Sequence, residues 1–184
     1  DSRKRAEESL RQSEERYALA VAGSDDGVWD WDLRSGMAFE SARARELQGL
    51  SPGPEVQPLD ALVESLRVHP DDAPRRAEGI RAHLAGETTA YECEYRVRRD
   101  DGTYRWIRVR ALCLRDDEGR PYRMAGSVSD VDDRKRAEEA LRMSQERFTL
   151  AVAGSNDGII DWDMVNDSMY TSERMLEMIG EART

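Results

Sequence analysis

The residues of this sequence that could do chemistry are four aspartate pairs, two histidines and two cysteines. They are Asp25-Asp26, Asp71-Asp72, Asp100-Asp101, Asp116-Asp117, His69, His83, Cys93 and Cys113. Each aspartate pair falls at an expected turn or helix start, where an aspartate side chain hydrogen-bonds to nearby backbone. The pairs therefore predict capping, and we expect no calcium or magnesium site.

The histidines and cysteines do not form a catalytic or metal-binding pattern. His69 precedes Pro70 and is expected to fix a loop at a helix start, and His83 lies late in that helix, where we expect it to be exposed. The spacing of Cys93 and Cys113 fits neither a metal site nor a redox pair. The sequence has no glycine-rich phosphate loop, kinase histidine box, nucleotide-binding motif, GGDEF or EAL sequence, so we expect no catalytic residues.

Composition argues against several classes of function. Of the 184 residues, 36% are charged, the net charge is -10 and the mean hydropathy is -0.79. This acidity argues against a nucleic-acid partner. There is no signal-peptide pattern and no apolar run of about 18 residues. We therefore expect a soluble, cytoplasmic fragment without direct membrane contact, whose parent protein can still be membrane-anchored.

A long stretch of the chain occurs twice. Residues 3–32 match residues 134–163 at an offset of 131, with 30 − 8 = 22 identical positions. A period of this size is that of a domain and not that of a solenoid repeat. We therefore expect one complete unit followed by the truncated start of a second, in a fragment of a longer modular protein.

Both copies begin with a predicted amphipathic helix. Its apolar and small residues recur at alternating spacings of three and four, which favours pairing with another helix. The predicted dimer seam consists of Ala6, Leu10, Ser13 and Tyr17 in the first copy and Ala137, Leu141, Ser144 and Phe148 in the second. The sequence therefore predicts a homodimer, although a helix packed only on its own domain remains an alternative.

Between the two helices, alternation of apolar and polar residues predicts five strands at 28–33, 37–40, 91–97, 104–114 and 122–131. Short helices are predicted at 41–48 and 59–66, and a longer one from Asp71 or Asp72 to about Leu84. Residues 51–58, with three prolines, are predicted to form a loop. This order indicates an α+β fold with one antiparallel sheet of five strands and helices on one face.

These motifs together resemble a PAS domain, in the subfamily with two tryptophans in the first strand. The matching stretches are WDWDL at 29–33, HPDD at 69–72, EYR at 94–96, DDG at 100–102, RWI at 105–107, DDEG at 116–119 and the run at 120–138. Val131-Asp132 departs from the family's usual Ile-Thr. The resemblance implies a PAS fold at 24–131, between long signalling helices at 1–23 and 132–154, with a second repeat starting at 155–184.

The resemblance also bears on cofactors. Haem-binding PAS domains carry a histidine at a position that corresponds to the neighbourhood of Arg75, where this sequence has none. Flavin-binding photosensory PAS domains carry a reactive cysteine in an NCR motif that this sequence lacks. We therefore expect neither haem nor flavin, although an unknown small ligand remains open. A cavity between sheet and helices would be lined by Trp29, Trp31, Phe39, Leu47, Tyr91, Cys93, Tyr95, Ile107, Val109 and Met124. These side chains are large enough to fill it themselves, so a filled core is the stronger expectation.

The resemblance implies a sensory and signal-relay module of a multidomain bacterial signalling protein, with a sensor histidine kinase as the expected parent. A module of a diguanylate cyclase or phosphodiesterase and a constitutive dimerisation spacer without ligand are the alternatives. Asp130, Asp132 and Arg134 are the predicted signal junction to a downstream output domain. The sequence leaves Arg108, Arg110 and Arg134 open as partners of Asp130.

Overall fold

The computed structural model describes residues 23–180 throughout, and before them residues 4, 8, 9, 11, 12, 15, 16, 19 and 21. These earlier residues are helical, and Arg11 forms ion pairs of 2.7 Å with both Glu8 and Glu15. Outside the described residues lie the predicted seam positions of the first helix, Ala6, Leu10, Ser13 and Tyr17. The chain divides into two compact units, residues 1–133 and 134–184.

One antiparallel sheet forms the frame of the first unit. Its strands are β1 (Gly27–Asp32), β2 (Met37–Glu40), β3 (Val56–Pro58), β4 (Tyr91–Arg98), β5 (Tyr104–Arg115) and β6 (Pro121–Asp130). They lie in the order β3-β2-β1-β6-β5-β4, so the first and last strands are neighbours at the centre.

The predicted α+β class and its five strands are confirmed. The sheet also has a sixth strand, β3, within the stretch predicted as a loop. Its three residues pair with β2 at the edge of the sheet, a position that tolerates Pro58 because an edge strand can do without one backbone donor.

Three helices pack on one face of this sheet, α1 (Ala42–Leu47), α2 (Leu59–Ser65) and α3 (Ala73–Ala85). The Ser41 hydroxyl accepts hydrogen bonds from the amides of Ala44 (3.2 Å) and Val28 (3.0 Å), so it caps α1 and ties the helix to β1. Gly86 ends α3 in the left-handed conformation, with φ of 83°. The predicted start of α1 and end of α3 are thus confirmed.

The core lies between the sheet and these helices. Alternate residues of the strands face it, and the rings of Trp29 and Trp31 lie 4.7 Å apart. Leu47 and Leu62 bring the helices onto this surface and are almost fully buried. Burying a leucine side chain stabilises a fold by about 1.5–3 kcal/mol, so these two contacts help to fix α1 and α2 on the sheet.

The second unit contains most of α4 (Asp132–Ser155), followed by β7 (Ile160–Asp163), β8 (Ser168–Thr171) and α5 (Glu173–Ile179). β7 and β8 form a two-stranded antiparallel sheet. The Ser172 hydroxyl accepts from the amides of Ile159 (2.8 Å) and Met175 (3.3 Å), which is the arrangement that Ser41 makes in the first unit. The sequence repeat is therefore also a repeat of local structure.

No helix formed by the described residues is both long and apolar enough to span a membrane.

At Gly126, β6 lies close to the backbone of β5. A Cβ atom at this position would lie 1.8 Å from the carbonyl oxygen of Arg110 and 2.8 Å from Cα of Ala111. Because these are backbone atoms in two hydrogen-bonded strands, a side chain can be accepted only if the strands move apart.

We expect Gly126→Ala to lower the free energy of unfolding by about 1–3 kcal/mol or more, as overpacking does in other cores. Urea unfolding of the purified chain measures this. Gly23→Ala is the matched control, because a Cβ atom there has no described atom within 4 Å. Equal stability of the two variants would contradict the close approach.

Candidate functional site

The space between the sheet and α3 is almost filled. The cavity that remains has a volume of about 10 Å³, close to the least space that can hold one water molecule. It is lined by Trp29, Trp31, Glu40, Gln48, Arg76, Ile80, Tyr91, Tyr95 and Val109. The aromatic side chains thus occupy most of the space in which a larger ligand would have to bind.

The wall of this inner cavity is unusually polar for a core. Glu40 is 2% exposed and accepts a hydrogen bond of 2.8 Å from Nε2 of Gln48. Among the described residues, Trp31 Nε1, Arg76 Nε and the Tyr91 hydroxyl have no hydrogen-bond partner. Buried donors normally have a partner, so these groups can hold a water molecule or a small polar group.

Burial sets the protonation of these groups. It raises the pKa of Glu40 above its ordinary value of 4.5, against the opposing effects of the Gln48 hydrogen bond and the charges of Arg45 and Arg76. Burial also raises the pKa of the hydroxyls of Tyr91 and Tyr95. Both phenols are therefore neutral at physiological pH, and either can donate a hydrogen bond.

The structure places the predicted pocket residues in three groups. Five line the inner cavity: Trp29, Trp31, Tyr91, Tyr95 and Val109. Four more are buried in the surrounding core: Leu47, Cys93, Ile107 and Met124. The tenth, Phe39, was predicted wrongly, because it lies in a groove on the opposite face of the sheet.

The register of β1 and β2 explains the position of Phe39. Cross-strand partners share a face, and Phe39 pairs with Asp30 whereas Glu40 pairs with Trp29. The inward position therefore belongs to Glu40. The prediction missed Glu40, Gln48 and Arg76, because hydrophobic patterning places apolar residues in a core, and it also missed the apolar Ile80 on α3. The pairing of β1 with β2 was the signal that could have found Glu40.

The histidines serve local structure. His69 Nδ1 accepts a hydrogen bond of 3.2 Å from the amide of Asp71, which fixes the loop before α3 as expected. The expectation that His83 is exposed was wrong, since it is 2% exposed with Nδ1 at 3.0 Å from the Thr88 hydroxyl. It lies on the side of α3 that packs on the sheet, and its ring is 6.4 Å from that of Tyr91.

Asp71 or Asp72 was predicted to cap α3. Asp72 occupies the N-cap position, but its carboxylate makes no capping hydrogen bond. It accepts instead from the amide (2.9 Å) and Nε (2.8 Å) of Arg96 on β4. The side-chain hydrogen bond from Arg96 lowers the pKa of Asp72, so this carboxylate is charged. The pair fastens the start of α3 to the sheet.

Asp130 lies at the end of β6 and begins the junction with α4. Its Oδ1 accepts a hydrogen bond of 2.8 Å from the amide of Asp132, and its Oδ2 lies 3.3 Å from Nε of Arg105. Of the candidate partners that the sequence left open, Arg108 and Arg110 were wrong, and the sequence analysis missed Arg105. Asp130 pairs with Ile107, and Arg105 shares that face two residues away, whereas Arg108 and Arg110 face the other side.

Asp132 fixes the first turn of α4 to the beginning of β5. Its carboxylate is largely buried and accepts from the amide of Trp106 (3.2 Å) and from Arg99 (3.1 Å). The neighbouring amide of Val131 donates to the carbonyl of Trp106 over 3.1 Å. Arg134, the third predicted junction residue, forms an ion pair with Glu138 one turn further along α4.

Comparison with known proteins agrees with this architecture. A family model described as PAS fold matches residues 40–128. The crystal structure of a sensory box histidine kinase/response regulator from Burkholderia thailandensis is 38% identical, with a TM-score of 0.62, over 73% of this chain and 98% of that one. The chain therefore belongs to the PAS family, and its role is that of a sensory module in signal transduction.

Two curated relatives extend over most of this chain. The sensor protein FixL of Bradyrhizobium diazoefficiens is 30% identical over 79% of the chain, and the probable diguanylate cyclase DgcE of Escherichia coli is 25% identical over 87%. The chain spans 28% of the length of FixL and 13% of that of DgcE. These relatives are thus much longer proteins than the sequence described here.

The raised pKa of Glu40 predicts a pH dependence of stability. The contribution of Glu40 to the free energy of unfolding should be largest where Glu40 is protonated in both states, below the ordinary carboxyl pKa, and should be lost as pH rises through its raised folded-state pKa. Glu40→Gln removes this loss, so its stability advantage over the wild type should grow with pH in that window.

Urea unfolding at a series of pH values measures the difference between the two proteins. The exposed Glu64→Gln is the matched control and should follow the wild type. If the difference in the free energy of unfolding between Glu40→Gln and the wild type is the same at every pH, the claim that burial raises the pKa of Glu40 is contradicted.

Proposed function

We propose that the first unit receives a conformational signal and passes it to α4, in a multidomain bacterial protein whose output domain lies downstream. The observation that carries this proposal is the junction, where Asp130 and Asp132 hold the first turn of α4 to β5 and β6. A change in the twist or spacing of these strands must move the start of the helix, because charged hydrogen bonds join the two.

A sensor histidine kinase is the parent protein that we propose. The sensory box histidine kinase/response regulator and the sensor protein FixL support this choice. The similarity to DgcE supports a diguanylate cyclase as the alternative parent. The repeated β-β-α unit at 158–180 supports a tandem of PAS domains.

The small inner cavity favours a signal that does not depend on a ligand in the core. A volume of about 10 Å³ leaves no space for a cofactor unless the aromatic side chains move. This observation also supports the alternative of a constitutive dimerisation spacer. The relay and the spacer make different predictions for the full-length parent, since only the relay predicts that changes at the junction alter the output.

The apolar seam of α4 supports a dimeric relay. Leu141 and Phe148 are 60% and 65% exposed, and the small residues Ala137 and Ser144 lie on the same side of the helix. A row of exposed, large apolar side chains favours burial in an interface, and a second copy of the same helix has a matching row. We therefore propose that α4 pairs with α4 of a second chain.

Asp132→Ala should uncouple the helix from the sheet. The loss of its charged hydrogen bonds should destabilise the junction by about 1.5–3 kcal/mol, and Asp130→Ala should have a smaller effect because Asp130 is more exposed. Hydrogen exchange should become faster in residues 134–150 and stay slow in residues 91–97.

Asp133→Ala is the matched control, since it removes an exposed aspartate from the same helix turn. Unchanged hydrogen exchange in residues 134–150 of the Asp132→Ala protein would refute the proposal that Asp132 couples α4 to the sheet. In the full-length parent, an unchanged basal output and an unchanged response to signal in this variant would favour the spacer.

The double variant Leu141→Glu/Phe148→Glu should be monomeric at micromolar concentrations at which the wild type is dimeric, because like charges would face each other across the seam. Sedimentation equilibrium measures this. Met143→Glu is the control, because Met143 is also exposed but lies on another side of α4. A monomeric wild type would refute the paired helices.

A further inference from the structure

A second groove lies apart from the inner cavity, at the end of the sheet where α4 begins. Its volume is about 500 Å³, within the range of small-molecule sites. Three arginines line it: Arg45 on α1, Arg99 after β4 and Arg105 at the start of β5. Apolar surface comes from Ala42, Leu50 and Pro52. The groove therefore combines positive charge with an apolar wall.

Arg45 is the most buried of these arginines, with 9% of its surface exposed. Its guanidinium donates to the carbonyl oxygens of Ser51 (2.9 Å) and Pro54 (3.4 Å). It forms no ion pair with the described carboxylates, and its Nε has no hydrogen-bond partner among the described residues. A buried charge without a direct ion pair is costly, so an anion in the groove would stabilise this side chain.

Arg99 and Arg105 connect the groove to the junction. Arg99 donates to Asp132 over 3.1 Å, and Nε of Arg105 lies 3.3 Å from Asp130 without the direction of a hydrogen bond. The Nε atoms of both arginines are buried and lack a hydrogen-bond partner among the described residues. Arg105 makes no side-chain hydrogen bond with the described residues, so the outer nitrogens of its guanidinium group remain as donors for an anion in the groove.

The acidic residues of the lining lie at its exposed rim. The side chains of Glu46 and Asp100 are 61% and 78% exposed and pair with Arg43 and Arg67, which lie outside the lining. Glu55 is also exposed. These acidic side chains would repel a multiply charged phosphate. A ligand with a single carboxylate is repelled less and can reach the guanidinium groups deeper in the groove.

We infer that this groove binds a small organic carboxylate, with its charged end at Arg45 and Arg105 and its apolar body against Leu50 and Pro52. Guanidinium groups and carboxylates form paired, charge-assisted hydrogen bonds. Because Arg99 and Arg105 also hold Asp132 and Asp130, the bound carboxylate competes for them and loosens the start of α4. Carboxylate binding in the groove does not depend on the proposed relay. Only the proposed loosening of the start of α4 rests on the relay.

Benzoate is the probe for binding, and amide NMR of the whole chain is the measurement. Benzoate should cause saturable shifts at Gly49 and Gly53, which line the groove, and neutral benzamide should bind at least about tenfold more weakly. The absence of saturable shifts, or equal binding of benzamide, would overturn the proposal. Tighter binding of inorganic phosphate than of benzoate would overturn the choice of a carboxylate.

Variants place the binding in the groove. Arg45→Gln and Arg105→Gln should each weaken benzoate binding by about tenfold. Arg105→Gln is needed because Arg45 also holds the loop at Ser51 and Pro54, so Arg45→Gln changes the loop as well as the binding site. Arg81→Gln is the matched control, since Arg81 is exposed on α3 and pairs with Glu78 and Glu87. An equal loss in the control would overturn the assignment of the site.

Hydrogen exchange tests the competition at the junction. Saturating benzoate should speed exchange in residues 132–138 of the wild type and leave residues 91–97 unchanged. If the chain binds benzoate but hydrogen exchange in residues 132–138 is unchanged, the proposal that the ligand loosens the start of α4 is overturned. The Asp132→Ala variant tests the relay without any ligand, so failure of the groove and failure of the relay can be told apart.

Discussion

The antiparallel register of β1 with its two neighbours decides which side chains enter the core. Trp29 and Trp31 point toward the helices because the pairing with β2 and β6 places them on that face. A slip by one residue would bring Asp30 and Asp32 inward and expose both indoles. The same register turns Glu40 inward, so a carboxylate enters the core beside the tryptophans.

We propose that a core filled in this way passes on a change of packing. Protein interiors are close-packed and transmit strain, since side chains cannot move independently of their neighbours. β6 runs from the centre of the sheet directly into α4, and Asp132 joins that helix to the backbone of β5. The helix therefore begins at the end of a strand that is paired on both sides.

Several buried polar groups of the first unit have no hydrogen-bond partner among the described residues. They include the indole of Trp31 and the hydroxyl of Tyr91 in the inner cavity, and the Nε atoms of Arg45 and Arg105 in the groove. Such groups are costly in a folded protein and are often found at sites of function. Only the groove has both the volume and the open charge for a ligand, and it lies at the base of α4.

The sequence by itself determined the repeat, the α+β class, the five main strands and the cap of α1 at Ser41, because periodicity and capping depend on neighbours in the chain. It also determined most of the core, since alternation marks one face of each strand. Only the tertiary structure decided that Glu40 and not Phe39 faces inward, and that Arg105 meets Asp130. Those outcomes depend on the register between strands far apart in sequence, which local patterns do not specify.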